Sequence, residues 1–212
     1  MDEPNHFVGV DLSGPGNASS TAVAVFRPNG EDLALQALDC GADDVGILGR
    51  IAASAVVGLD APLSYSPSGG SRESDDLLRK RTVQEGLPPG SVMAPSAPRM
   101  VFLTLRGVAV SRMLGQHRPQ ARIVEVHPGA ALVLHGAPVA SVREMKTERR
   151  ARQELLEWLE GQGLEGLGGK SDVDDHTVAA CAAAFAAWKW QQGASKWRYA
   201  ADPPCHPYDF AC

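Results

Sequence analysis

Phe7-Val8-Gly9-Val10-Asp11-Leu12 and Ala55-Val56-Val57-Gly58-Leu59-Asp60 carry one pattern twice: an apolar run with a glycine two residues before an aspartate. Short runs rich in β-branched residues and closed by turn formers read as buried strands. Ser13-Gly14-Pro15-Gly16 closes the first run and Ala61-Pro62 the second. Residues 122–126 form a third, with Glu125 near its end and His127-Pro128 behind it. Residues 21–26 and 33–38 read as two more strands, with Arg27-Pro28-Asn29-Gly30 as the loop between them, and residues 43–54 as a helix. Three strands on short loops, then a helix, then a strand, predict an α/β fold. The order suits a sheet with crossover helices rather than a helical bundle.

Beyond Asp60, residues 61–98 hold most of the Pro, Gly and Ser punctuation around one charged helix at 74–85. A long turn-rich insertion at a strand end is a candidate functional loop. Helices are expected at 100–116, 142–162 and 172–190. Residues 163–169 would form a flexible connector, and the tail after Gly193 would drape over the surface. No repeat or boundary divides the chain, so residues 1–212 are read as a single domain.

The 212 residues, 44% hydrophobic and 21% charged, suit one globular core. No apolar run approaches the ~18 residues of a membrane helix. The start, Met1-Asp2-Glu3-Pro4-Asn5-His6, lacks the basic and apolar regions of a secretory signal. Cys40, Cys181, Cys205 and Cys212 form no Cys-x-x-Cys pair, which argues against a thiol zinc site and for free thiols in a cytoplasmic protein. A net charge of −5 excludes a general coater of duplex DNA but leaves room for a local basic groove.

Alternation along a strand puts Gly9 and Asp11 on one face, and Gly58 and Asp60 on one face, each glycine leaving space beside its acid. The C-terminal ends of such strands are where open α/β sheets bind ligands. Carboxylates crowded together raise one another's pKa, and a hard divalent cation, Mg²⁺ or Mn²⁺, relieves this. Two ions about 4 Å apart would clamp the attacking and leaving oxygens of a phosphodiester. The plain alternative is that each acid is a turn former or a helix cap. At the last helix, Ser171 and Asp174 have capping-box spacing, while Asp175 heads a stripe of Ala179, Ala182 and Ala186 suited to close packing on a sheet.

The ordered set Val8-Gly9-Val10-Asp11, Gly58-Leu59-Asp60-Ala61-Pro62-Leu63, Ser68-Gly69-Gly70-Ser71-Arg72 with Asp75 and Leu78-Arg79, Glu125-Val126-His127-Pro128, and Asp174-Asp175-His176 before an alanine-rich helix resembles the DUF429 family. These are predicted nucleases with a ribonuclease H-like fold, and the likeness runs from about residue 7 to 190. It implies an α/β mixed sheet of three antiparallel strands plus parallel strands flanked by helices, with the first and fourth strands neighbours and Asp11 beside Asp60. It implies Asp11, Asp60, Glu125 and Asp175 as catalytic ligands of two Mg²⁺ or Mn²⁺ ions, with Asp174 as a further candidate ligand and a metal-activated water as nucleophile. The partner implied is nucleic acid, DNA and RNA both open. One departure stands out: where related resolvase-type enzymes carry an acid on the late helix, this chain has Ala179. A non-catalytic nucleic-acid-binding module is therefore one alternative, and a nucleotide-binding protein of the sugar-kinase or actin-like class is another.

Among the basic residues, Arg72 and Arg79 in the insertion are the candidates for phosphate contacts. Arg143, Lys146, Arg149, Arg150 and Arg152 interleave with glutamates and read as a solvated helix face. His127 and His176 are possible accessory groups, His127 as a proton carrier or as a structural residue at a strand end. Gly168-Gly169-Lys170-Ser171 imitates a phosphate-binding loop, but Leu164 stands where its first glycine belongs.

Overall fold

The computed structural model describes residues 4–170 and 173–212; Met1 to Glu3, Ser171 of the capping-box reading and Asp172, where the last helix was expected to start, lie outside them. Strands β1 (His6–Asp11), β2 (Ala22–Asn29) and β3 (Asp32–Cys40) form an antiparallel meander. The hairpin turn is tighter than the sequence suggests. Asn29 pairs with Asp32 across Gly30-Glu31, and Gly30 takes a φ of 64°, as two-residue hairpins with glycine first require. Pro28 therefore lies within β2. The pairing of β1 begins at Phe7↔Phe26, so Pro28 stands where β2 has one neighbour, a position that tolerates proline.

Helix α1 (Asp44–Arg50), capped by Asp43 accepting from the Gly46 amide at 2.7 Å, leads into β4 (Ala55–Asp60). This strand runs parallel to β1 in the register Gly9↔Gly58 and Asp11↔Asp60. After α2 (Glu73–Gln84) and α3 (Val101–His117), β5 (Arg122–Val126) pairs in parallel with β4. Then come α4 (Pro128–Leu134), α5 (Val139–Glu144), α6 (Arg149–Gly161), β6 (Leu164–Glu165), α7 (Asp175–Gln191), β7 (Arg198–Tyr199) and β8 (Phe210–Ala211). The sheet order is β6-β3-β2-β1-β4-β5-β8-β7, eight strands with three antiparallel pairs. The expected α/β mixed sheet is present.

Three segments differ from expectation. The single helix at 142–162 is two, because the Thr147 amide and hydroxyl both turn back to the Glu144 carbonyl, at 2.9 and 3.3 Å. The connector at 163–169 adds a short parallel strand to β3. The tail is part of the sheet: β8 pairs with β5, and Phe210, Ala211 and Cys212 are buried. No helix among the described residues is long and apolar enough to cross a membrane.

Both faces of the sheet are covered. Val8, Val10, Val57, Leu59 and Ile123 pack on one side with α1 and α3 residues such as Ile47, Val110 and Leu114. Phe7, Phe26, Val56, Val124 and Val126 pack on the other with α7, whose residues Thr177 to Trp188 are all buried. The alanine stripe lets the α7 backbone lie almost on the strands. A β-carbon at Gly9 would stand 1.9 Å from the Ala180 carbonyl oxygen, and one at Gly58 2.4 Å from that of Ala183. Gly9→Ala must therefore displace the helix. It is expected to cost about 3 kcal/mol or to abolish folding, read by urea denaturation. An unchanged unfolding midpoint would show that α7 does not need this contact.

Candidate functional site

Asp11 and Asp60 end adjacent parallel strands as register partners, on the face covered by α7. Asp11 is 8% exposed and Asp60 half-buried, and their carboxyl groups hydrogen-bond each other. From the first turn of α7, His176 brings its Nδ1 to 2.7 Å from the second oxygen of Asp11. Burial raises the Asp11 pKa, and the bond to His176 works against that rise. Asp60 is pushed well above the usual carboxylate range, first by burial and then by the neighbouring Asp11 charge. The hydrogen bond to Asp11 holds His176 above its ordinary value. Both shifts favour the protonated form, more so at Asp60, whose carboxyl bonds Asp11, and His176 bonds the other oxygen of Asp11.

Asp175 lines the same cavity, and its charge further opposes ionisation of Asp11. Asp174, one residue away, does a different job. As the N-cap of α7 it accepts from the Thr177 amide at 2.7 Å, with the Cys40 thiol 3.9 Å from its other oxygen.

Glu125 lines the same cavity, and its charge also opposes ionisation of Asp60, but its carboxylate is engaged differently. It is the register partner of Leu59, so by alternation it faces away from Asp60's side of the sheet. There Arg72 grips it in a two-point bond, 2.9 Å to Oε2 and 2.5 Å to Oε1, while the Leu63 amide donates to Oε2 at 2.9 Å. The same guanidinium binds Asp75 at 2.6 Å and Ser64 Oγ at 3.0 Å. Glu125 is 2% and Arg72 8% exposed. Burial opposes the charge of Arg72, but Glu125 and Asp75 more than offset it. Here the acid has a resident cation. Arg72, Glu125 and Asp75 together pin the insertion to the end of β5.

Arg79 is likewise committed, bracing the insertion through the Val92 carbonyl at 2.9 Å and Asp76 at 2.5 Å. His127 accepts from the Ala130 amide through Nδ1 and donates to the Ser91 carbonyl through Nε2. Burial lowers its pKa. Both nitrogens are engaged in capping α4 and holding Ser91, the structural one of its two expected roles, and the ring also lines the cavity.

The acid pair opens into a cavity of about 640 Å³. Leu87, Val92 and Met93 of the insertion line it together with Met100, Val142 and Met145, and so do Arg143 and Lys146. Reading Arg143 and Lys146 as a solvated helix face missed this. The helix breaks after Glu144, between the two, and both exposed cations line the site. The signal available was Thr147, a β-branched residue with a hydroxyl that competes for the preceding carbonyl. Among the described residues, no group of three or more His, Cys, Asp or Glu side chains is arranged to hold a metal ion.

Two outcomes follow from these contacts. Arg72→Ala leaves two buried carboxylates unpaired and is expected to lower stability by about 3–5 kcal/mol in chemical denaturation, with Arg72→Met plus Glu125→Gln and Asp75→Asn recovering most of it. Without divalent cations, stability is expected to fall as pH rises from the ordinary carboxylate value of 3.8 towards the raised value of Asp60. His176 adds stability that is full below 6.5 and is lost as pH climbs through its own raised value. Asp60→Asn should therefore raise the melting temperature at neutral pH and flatten its pH dependence.

Comparison with curated proteins and with solved structures found no match. A family model described as "Protein of unknown function (DUF429)" matches residues 9–204, nearly the whole length. The chain belongs to the DUF429 family.

Proposed function

We propose that this protein is a divalent-metal-dependent phosphodiester hydrolase acting on nucleic acid, with Asp11 and Asp60 at its centre. The observation that carries the reading is the contact between these two carboxyl groups at the ends of adjacent parallel strands, with no Lys or Arg between them. Its context supports it. Three antiparallel strands, a fourth parallel to the first and a late helix packed over both are what a ribonuclease H-like hydrolase would use to hold such a pair.

The donor set fits a hard cation. Burial and the Asp11 charge both disfavour ionised Asp60, a penalty a cation would relieve, and two carboxylates are what Mg²⁺ commonly takes from a protein, the rest of its shell being water and substrate phosphate. An ion bound there would supply Lewis-acid neutralisation of the phosphodiester and a more acidic water. Asp11 and Asp60 would hold it, and Asp175 is the side chain placed to contribute at the cavity edge. Any second ion would rest on Asp11 and Asp175, because Glu125 is held by Arg72 and Asp174 by its cap. His176 would keep Asp11 oriented and carry a proton at Nδ1. Lys146, whose charge favours ionised Asp60, would attract the substrate phosphate.

A second reading, a non-cutting nucleic-acid-binding module, is favoured by Ala179, which lines the cavity without a donor. Thermal melts with added Mn²⁺ separate the two. At one hundred times its dissociation constant, Mn²⁺ should stabilise the wild type by about 2.7 kcal/mol. Asp11→Asn should abolish that shift and any Mn²⁺-dependent cleavage of single-stranded or duplex nucleic acid. Cleavage that survives Asp11→Asn would sink the proposal, and a metal shift without cleavage of any nucleic acid would favour the module.

A further inference from the structure

We infer that the cavity beside the acid pair seats one unstacked base, so that the substrate is a single strand or an opened end rather than an intact duplex. This inference rests on the proposed hydrolase reading, because it assigns the phosphate to Asp11 and Asp60. The concave site divides among three chemistries. The carboxyl pair of Asp11 and Asp60 lines it. Val92, Met93, Met100 and Met145 add apolar, polarisable lining. Arg143 and Lys146 are exposed at the lip and have no ion-pair partner among the described residues.

That division matches one nucleotide unit of a strand. About 640 Å³ falls within the range of sites that enclose a small organic ligand. Methionine thioethers adapt to flat rings and make favourable sulfur contacts with aromatic faces without selecting one base. The lip cations suit the flanking phosphates, which carry one charge each along the strand. A duplex presents its bases stacked and paired, so the same contacts would require extruding one, at a cost absent for a single strand. Sequence-tolerant recognition with a preference for open strands is the outcome these walls support. The insertion at 61–98 thereby acquires a role: Arg72 and Arg79 fix it, and its Val92 and Met93 form the base wall.

The test uses fluorescein-labelled oligothymidylate and a blunt duplex of equal length, with binding followed by anisotropy in Ca²⁺. A strand carrying 2-aminopurine reports unstacking by brightening. The single strand is expected to bind about tenfold more tightly than the duplex. Met100→Trp, which fills the cavity away from the acids, should bring the single strand down to the duplex level and remove the brightening. Met93→Trp, at a 39% exposed position where a larger ring is easily accommodated, should do the same if the first variant folds poorly. Both variants should keep the wild-type Mn²⁺ shift in melting temperature. Equal or tighter duplex binding, no binding of either, or tryptophan variants that bind like wild type would overturn the inference. The Mn²⁺ shift then tells which idea failed. If it persists, the base pocket falls and the metal site stands. If it is absent while the single-strand preference remains and is lost in Met100→Trp, the pocket stands and the hydrolase falls.

Discussion

The near-contact of the α7 backbone with β1 and β4 is the constraint on which the site depends. Two glycines, Gly9 and Gly58, stand side by side in register, and α7 sets the carbonyls of Ala180 and Ala183 where their β-carbons would be. A helix lying this low over two strands must have a small-residue face, and Ala179 to Ala187 supply it apart from Cys181 and Phe185. Two residues further along each strand, the side chains that point the same way are Asp11 and Asp60. The helix start delivers Asp175 and His176 to them from above. Packing and site geometry are therefore one arrangement: whatever lifts the helix also pulls the acids and His176 apart.

Charge balance separates the strand-end acids into two kinds. Glu125 is neutralised internally by Arg72, which also binds Asp75, and the cluster is closed by Ser64 and the Leu63 amide. Such a network is a fastener, since removing one member strands the rest. Asp11 and Asp60 have no such partner, only a histidine and each other. A fold that paired all three acids with arginines would be a structural answer to the same pattern. Leaving one pair short of cation, at the wall of a cavity with unpaired cations at its lip, is what points to chemistry.

Much of this was legible in the sequence, and what was missed has definite causes. Strands β1, β4 and β5 were plain because each is a short β-branched run stopped by glycine or proline, and the glycine-x-aspartate spacing placed each acid on the face of its own glycine, while their adjacency followed only from the family resemblance. Glu125 looked equivalent because its residue type and strand end are. What distinguishes it is register, Leu59↔Glu125 rather than Asp60↔Glu125, and register is a property of the assembled sheet. Arg72 looked available for phosphate because, although Asp75 is three residues on, the carboxylate it grips at two points, Glu125, is 53 residues away. The tail looked superficial because Phe210-Ala211 is too short to announce a strand, yet β5 offers it an open edge. Arg143 and Lys146 were hidden by a regular charge pattern that continues through the break at Thr147.

The most direct test of the acid pair as a metal site is anomalous X-ray scattering from crystals grown with Mn²⁺. The account predicts a strong manganese peak between the carboxylates of Asp11 and Asp60, with no peak at Glu125, where Arg72 remains bound. A peak at Glu125 with Arg72 displaced, or crystals in which Asp11 and Asp60 stay hydrogen-bonded to each other at saturating Mn²⁺, would contradict it.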